Sequence, residues 1–173
     1  GNIGKTQNLE FFIENFVKLK INNYFLNICG DGRELEYLKQ KYQYSNIHFF
    51  GWMDSEELDR IAKKTDYFFL SLKDRGRQNY IIPSKFQTYL GYTKPVIFIG
   101  NIKMCELINN NNLGFSISHS SLHMIQNILL NLRKVDSVTY QTFQQSIVKY
   151  YENNYKQELL AKYFIKIIKE NDF

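Results

Sequence analysis

The sequence predicts an α/β fold: a doubly wound, Rossmann-like, mostly parallel sheet of about five to six strands, with helices on both faces and a C-terminal helical tail. Three observations carry that prediction. Short apolar runs alternate with segments of helical spacing five times across residues 1–118. Those runs are apolar throughout rather than at every second residue, as strands covered on both faces are. From Ser121 onward the spacing stays helical. The 173 residues, 44% hydrophobic and 23% charged, suit one globular domain. Its α/β core is residues 1–118 and its helices are 119–173.

The elements follow in order. Leu9, Phe12, Ile13, Phe16, Val17 and Leu19 give Asn8–Lys20 helical spacing. The run from Tyr24 to Cys29, stopped by Gly30-Asp31-Gly32, is a buried strand and tight turn. Glu34–Tyr42 is a helix, and Asn46–Phe50 a strand ended by Gly51. Asp54 and Glu57 stand as N-cap and N3 of a capping box that opens the next helix. Asp66–Leu72 is a strand, and the polar stretch Lys73–Ile82 a loop. Pro83 fits the first turn of a helix running to Tyr92. A strand (Pro95–Ile99), a helix (Lys103–Asn110) and a strand (Gly114–Ser118) complete the core. The tail is helical to about Glu170, with one break near Val135–Ser137 and another near Asn153-Asn154.

Composition excludes several classes. Cys29 and Cys105 are too few for a disulfide framework or a cysteine-rich zinc site, and they suit a reducing cytoplasm. No run reaches the roughly 18 apolar residues of a membrane helix. His119 and His123 lack a nearby carboxylate, so a metal pair is not expected. The aromatic residues, 16% of the chain, are spread through helices and strands and read as core, so no nucleic-acid partner is expected. The net charge of +5 leans toward anionic partners such as nucleotide phosphates. The chain starts without methionine in what reads as a loop, so a longer parent is expected.

Four segments could carry chemistry. Gly1-Asn2-Ile3-Gly4-Lys5-Thr6 precedes a helix and could admit a phosphate, or be a plain turn. Gly30-Asp31-Gly32 lies at the carboxyl end of a strand, where ligands of parallel sheets bind, and is equally a tight turn. Ser84 and Lys85 sit in a first helical turn, where a lysine opposes the helix dipole unless an anion is bound. The basic loop Lys73-Asp74-Arg75-Gly76-Arg77 could close over such an anion, or be a solvated loop.

Read together, these pieces resemble the C-terminal half of a retaining glycosyltransferase of the GT-B fold. The family is the large one that moves sugars from nucleotide-sugars onto bacterial cell-surface polysaccharides, lipopolysaccharide and capsule among them. The resemblance rests on the first loop through Leu9, on Ile28-Cys29-Gly30-Asp31-Gly32, on Asn46-Ile47-His48-Phe49-Phe50-Gly51-Trp52 and on Ala62-Lys63-Lys64-Thr65-Asp66. Its longest piece is Pro83-Ser84-Lys85-Phe86-Gln87-Thr88-Tyr89-Leu90-Gly91-Tyr92-Thr93-Lys94-Pro95-Val96, similar to a Pro-Ser-Lys-Phe-x-x-Tyr-Leu-Ala-x-Gly-Lys-Pro-Val stretch.

The resemblance implies a hexosyl- or N-acetylhexosaminyl-type transferase whose substrate is a UDP- or GDP-sugar, with no cofactor and no metal. Gly4, Lys5, Ser84, Lys85 and Thr88 would hold the donor and its diphosphate. Gly51, Trp52 and Met53 would border the base. It names no catalytic residue here. A separate N-terminal domain would bind a saccharide or polyprenyl-linked acceptor, so the isolated chain is expected to be inactive. The parent would be cytoplasmic, compatible with peripheral association at the inner face of the plasma membrane. Several positions depart from the pattern. Tyr80 and Thr88 stand where two glutamates are usual, Asn2 and Gln7 where the first loop has arginine and lysine, and Thr93 where a glycine precedes lysine. These departures admit a second reading, a non-catalytic module serving assembly. Family members also carry a central strand just before the position of Gly1. Its slot is expected to be filled by another segment, or closed by direct pairing of Phe25–Cys29 with Phe68–Leu72.

Overall fold

The computed structural model describes residues 1–20, 23–73 and 82–156. Five strands alternate with helices as the sequence predicts. They are β1 (Leu26–Cys29), β2 (Ile47–Gly51), β3 (Phe68–Ser71), β4 (Val96–Gly100) and β5 (Gly114–Ser118). The helices are α1 (Leu9–Lys18), α2 (Leu35–Lys41), α3 (Ser55–Lys64), α4 (Ser84–Gly91), α5 (Ile102–Asn110), α6 (Ile125–Leu132) and α7 (Ser137–Tyr155). Every strand pairing among the described residues is parallel.

β4 shows why its sequence is apolar at each position: all five of its residues are buried. Ile97 and Ile99 face a core built with Phe12, Ile13 and Phe16 of α1, Leu35 and Leu38 of α2, and Ile125 and Leu129 of α6. Val96 and Phe98 face a second core built with Phe86 and Leu90 of α4, Met104, Cys105 and Ile108 of α5, and Ile147 of α7. Helices therefore cover both faces, which a parallel sheet requires.

Local signals account for the boundaries. The Asp54 carboxylate accepts the Glu57 N–H at 2.8 Å, and Glu57 accepts the Asp54 N–H at 3.2 Å, so the capping box forms. Pro83 is the extended N-cap of α4, which makes Ser84 and Lys85 its first two residues. α7 opens on the Asp136 carboxylate, which accepts the Thr139 N–H at 2.8 Å.

The break expected near Asn153-Asn154 falls just after them: α7 ends at Tyr155, and Lys156 is extended (φ -64°, ψ 129°). One expectation is corrected. Direct pairing of β1 with β3 does not occur. The described strands form two sheets, β1-β2 and β3-β4-β5, and Gly1–Ile3 runs between them. Asn2 bridges Asp31 in parallel, with the Ile3 N–H on the Asp31 carbonyl at 2.8 Å and the Asp31 N–H on the Gly1 carbonyl at 3.2 Å. The basic loop beyond Lys73, with Tyr80, and the tail past Lys156 lie outside the described residues.

Candidate functional site

The carboxyl ends of β1 and β3 and the N-terminus of α4 converge on one cavity of about 1110 Å³. Gly1, Asn2 and Ile3 reach it from the first loop, Cys29 and Ser71 from strand ends, and Lys85, Thr88 and Tyr89 from α4. The glycines of the Gly30-Asp31-Gly32 turn make this approach possible. Gly30 has φ +137° and Gly32 φ +154°, and a Cβ on either would overlap the Gly1 or Ile3 backbone. The turn is thus a close backbone crossing that carries the first loop to the strand ends.

Lys85 is half-buried beside Gly1, whose missing side chain leaves room for the ammonium group. Packing of the first loop against α4 accounts for that burial. Burial pushes the Lys85 pKa below the usual lysine value. No described carboxylate pairs with it: the ion pairs are Lys41 with Glu10 and Glu14, and Lys63 with Asp59. Thr88, one turn along α4, is exposed on the same wall. Tyr89 lies flat on Phe68, ring centroids 4.2 Å apart, and burial raises its pKa. Ser71 is 2% exposed, and its hydroxyl has no hydrogen-bond partner among the described residues.

Of the other residues singled out by sequence, Gln7 lines the cavity, whereas Gly4, Lys5, Ser84 and Gly51–Met53 do not. Gly4 caps a 3-10 turn, Lys5–Gln7, in which Lys5 is exposed. Gln7 is committed to structure, its amide oxygen accepting the Gly4 N–H at 3.2 Å. Ser84 is exposed at the start of α4. Gly51 has φ +72°, and its carbonyl accepts the Gly30 N–H at 2.7 Å. Trp52 is 76% exposed, with Met53 half-buried behind it. Gly51–Met53 therefore leaves the same sheet edge as the glycine turn without lining the cavity. Ser71 and Tyr89 were missed. A serine ending an apolar run at the strand's carboxyl edge was the available signal for Ser71. Among the described residues no group of three or more His, Cys, Asp or Glu could hold a metal ion.

Solved structures share this architecture. Anabaena Alr3699/HepE, solved in complex with UDP, is similar with a TM-score of 0.79 at 12% identity, covering 98% of this chain and 47% of that one. A glycosyltransferase from Rickettsia africae is similar with a TM-score of 0.74 at 18% identity, over 98% of this chain and 46% of that one. The C-terminal domain of a group 1 family glycosyl transferase, LpcC from Francisella tularensis, gives a TM-score of 0.70 at 21% identity, over 91% of this chain and 84% of that one. The chain thus spans about half the length of the first two proteins. No curated protein sequence matches significantly. The family model described as glucosyltransferase 3-like, C-terminal domain, matches residues 4–168. With almost its whole length so matched, this chain belongs to the glucosyltransferase 3-like C-terminal domain family of glycosyltransferases.

Proposed function

We propose that the chain is the nucleotide-sugar-binding half of a retaining glycosyltransferase, with the donor diphosphate at the N-terminus of α4. The observation that carries this reading is Lys85: a half-buried cation without a described counter-charge, in the first turn of a helix, where the Ser84 and Lys85 N–H groups have no intrahelical acceptor. A lysine there is unfavourable beside the positive end of the helix dipole. A diphosphate reverses that sign, drawing on the dipole, the Ser84 and Lys85 amides and the ammonium together. When the sugar departs, the charge that develops on the diphosphate meets donors already in place, so no reorganisation is needed at that moment.

The remaining roles follow from position. Gly4 and the exposed Lys5 would close over the diphosphate from the first loop. Thr88, one turn into α4, would donate to a ribose hydroxyl of the donor. Gly51, Trp52 and Met53 would border the base, Trp52 offering a free ring face. HepE, the Anabaena relative, has been solved with UDP-glucose, which supports a UDP-sugar as the first donor to try. The acceptor, a saccharide or polyprenyl-linked sugar, would bind to an N-terminal domain of the parent, at the inner face of the plasma membrane. Among the described residues no helix is long and apolar enough to cross a membrane.

Calorimetric titration of UDP and GDP into the full-length protein tests this. Lys85→Ala should weaken binding by one to two orders of magnitude, the loss expected for a charged hydrogen bond of roughly 1.5–3 kcal/mol. Lys94→Ala, away from the cavity, should be silent. Thr88 in place of a glutamate favours the second reading, a non-catalytic module. Equal affinity of Lys85→Ala and wild type for both nucleotides, or no binding by either, would select that module.

A further inference from the structure

Ser71 ends β3 at the carboxyl edge of the sheet and lines the cavity together with Asn2, Gln7 and Lys85. Along β3, Phe69 joins the first core and Leu70 the second, so alternation turns Ser71 to the Phe69 face. One step down that face, the Phe12 ring stacks on Phe69 with centroids 3.9 Å apart. The Lys5–Gln7 turn also lies against β3. On the opposite face Tyr89 covers Phe68, which brings Lys85, one turn nearer the N-terminus of α4, toward the level of the strand end.

Other buried polar side chains are committed to the fold. The Asn15 amide donates to the Phe11 carbonyl at 2.8 Å, and the Asn101 side chain accepts the Met104 N–H at 2.9 Å. Among the described residues only the Ser71 hydroxyl and His119 Nε2 are buried with no partner, and His119 does not line the cavity. An unpaired buried hydroxyl destabilises the fold, because it has given up its water without a replacement. A hydrogen-bonding group that enters the cavity would supply one. We propose, resting on the donor-site reading of this cavity, that the Ser71 hydroxyl binds the nucleotide-sugar by donating a hydrogen bond to an oxygen of its diphosphate.

Position favours a phosphate oxygen over a sugar hydroxyl. Ser71 lies between the two elements that hold the diphosphate in that reading, the first loop on its own face and α4 with Lys85 on the other. A serine hydroxyl turns about a single bond, and no described acceptor competes for its proton, so it is free to donate to an anion. A hydrogen bond to a charged acceptor is about twice as strong as a neutral one, and exclusion of water strengthens it further. The hydroxyl stands in place before the ligand arrives, so charge developing on the departing diphosphate meets it without reorganisation. The same group therefore destabilises the empty protein and stabilises the complex, a division that a purely structural serine would not show.

Ser71→Ala in the full-length protein removes one oxygen and is read in two ways. Without ligand its melting temperature should rise, by roughly 1–3 °C, because the unpaired hydroxyl is gone. In calorimetric titration its affinities for UDP and for UDP-glucose should fall together, by roughly 10-fold or more. Ser71→Cys, of similar shape but with a weak S–H donor, should bind UDP with an affinity between the two. A Ser71→Ala melting temperature below wild type would overturn the proposal, because the hydroxyl would then be held by the fold or by a buried water. So would an unchanged UDP affinity, and so would a loss confined to UDP-glucose, which would move the hydroxyl to the sugar. Lys85→Ala separates this assignment from the reading beneath it. If Lys85→Ala loses UDP affinity and Ser71→Ala does not, the Ser71 assignment alone fails. If wild type binds neither UDP nor GDP, the donor-site reading fails and the Ser71 assignment with it.

Discussion

Thr93 should be replaceable by glycine with a gain in stability. It follows the end of α4 with φ +58°, in the left-handed region, where its Cβ crowds the backbone. A non-glycine residue there costs roughly 1–2 kcal/mol, and Thr has no side-chain carbonyl to offset it as Asn does. The backbone bonds at this site do not depend on the side chain. The Thr93 N–H donates to the Leu90 carbonyl at 2.9 Å, and its carbonyl accepts from Gln144 at 3.5 Å. Glycine keeps both and removes the crowding, but it returns about 0.4–1 kcal/mol through the freer unfolded chain. The net gain is about 0.5–1 kcal/mol, or roughly 1–4 °C in melting temperature for a chain of this size. Thr93→Asn should gain less, and Thr93→Ala should leave most of the cost in place. Urea melts with an unchanged slope give the comparison directly. A Thr93→Gly variant that melts at or below wild type would refute the reasoning, because the threonine methyl or hydroxyl would then be contributing more than the strain removes.

Gly30→Ala should be severely destabilising, by about 2 kcal/mol or more, because it adds left-handed strain to a collision with the Gly1 backbone; a thermal melt checks it. Asp54→Ala should cost about 1 kcal/mol through loss of the α3 cap, with Asp54→Ser recovering most of that in the same chemical melt. The pH dependence of Lys85 has a definite sign. Its folded pKa lies below the unfolded value of 10.5, so the unfolded chain binds more protons between the two, and stability rises with pH across that window. Lys85→Met should therefore raise the melting temperature at pH 7, with an advantage that shrinks as the pH approaches 10.5. An advantage independent of pH would mean that packing, not charge, sets the difference.

How much of this was legible in the sequence depended on how local each cause is. The capping box at Asp54 and Glu57 could be read because both partners lie within one turn. Uniformly apolar runs marked the strands because burial of β4 on both faces constrains every residue in it. The Gly-Asp-Gly turn could be read as a turn, but not as the crossing of Gly1–Ile3 over β1, because the two segments are 28 residues apart in sequence. Lys85 shows the same limit. Its place in a first helical turn was visible, yet its burial depends on a loop more than 80 residues upstream, so the sign of its pKa shift was not. Gln7 departs from the family pattern by losing a cation, and only the Gly4 N–H shows that its amide holds the first loop in shape. The split sheet follows from the same logic. A strand states its apolar character locally, but its neighbour is chosen by whichever backbone reaches its open edge. At β1 that neighbour is Gly1–Ile3, held on the Cys29 and Asp31 backbone, a pairing that no local pattern in either segment announces.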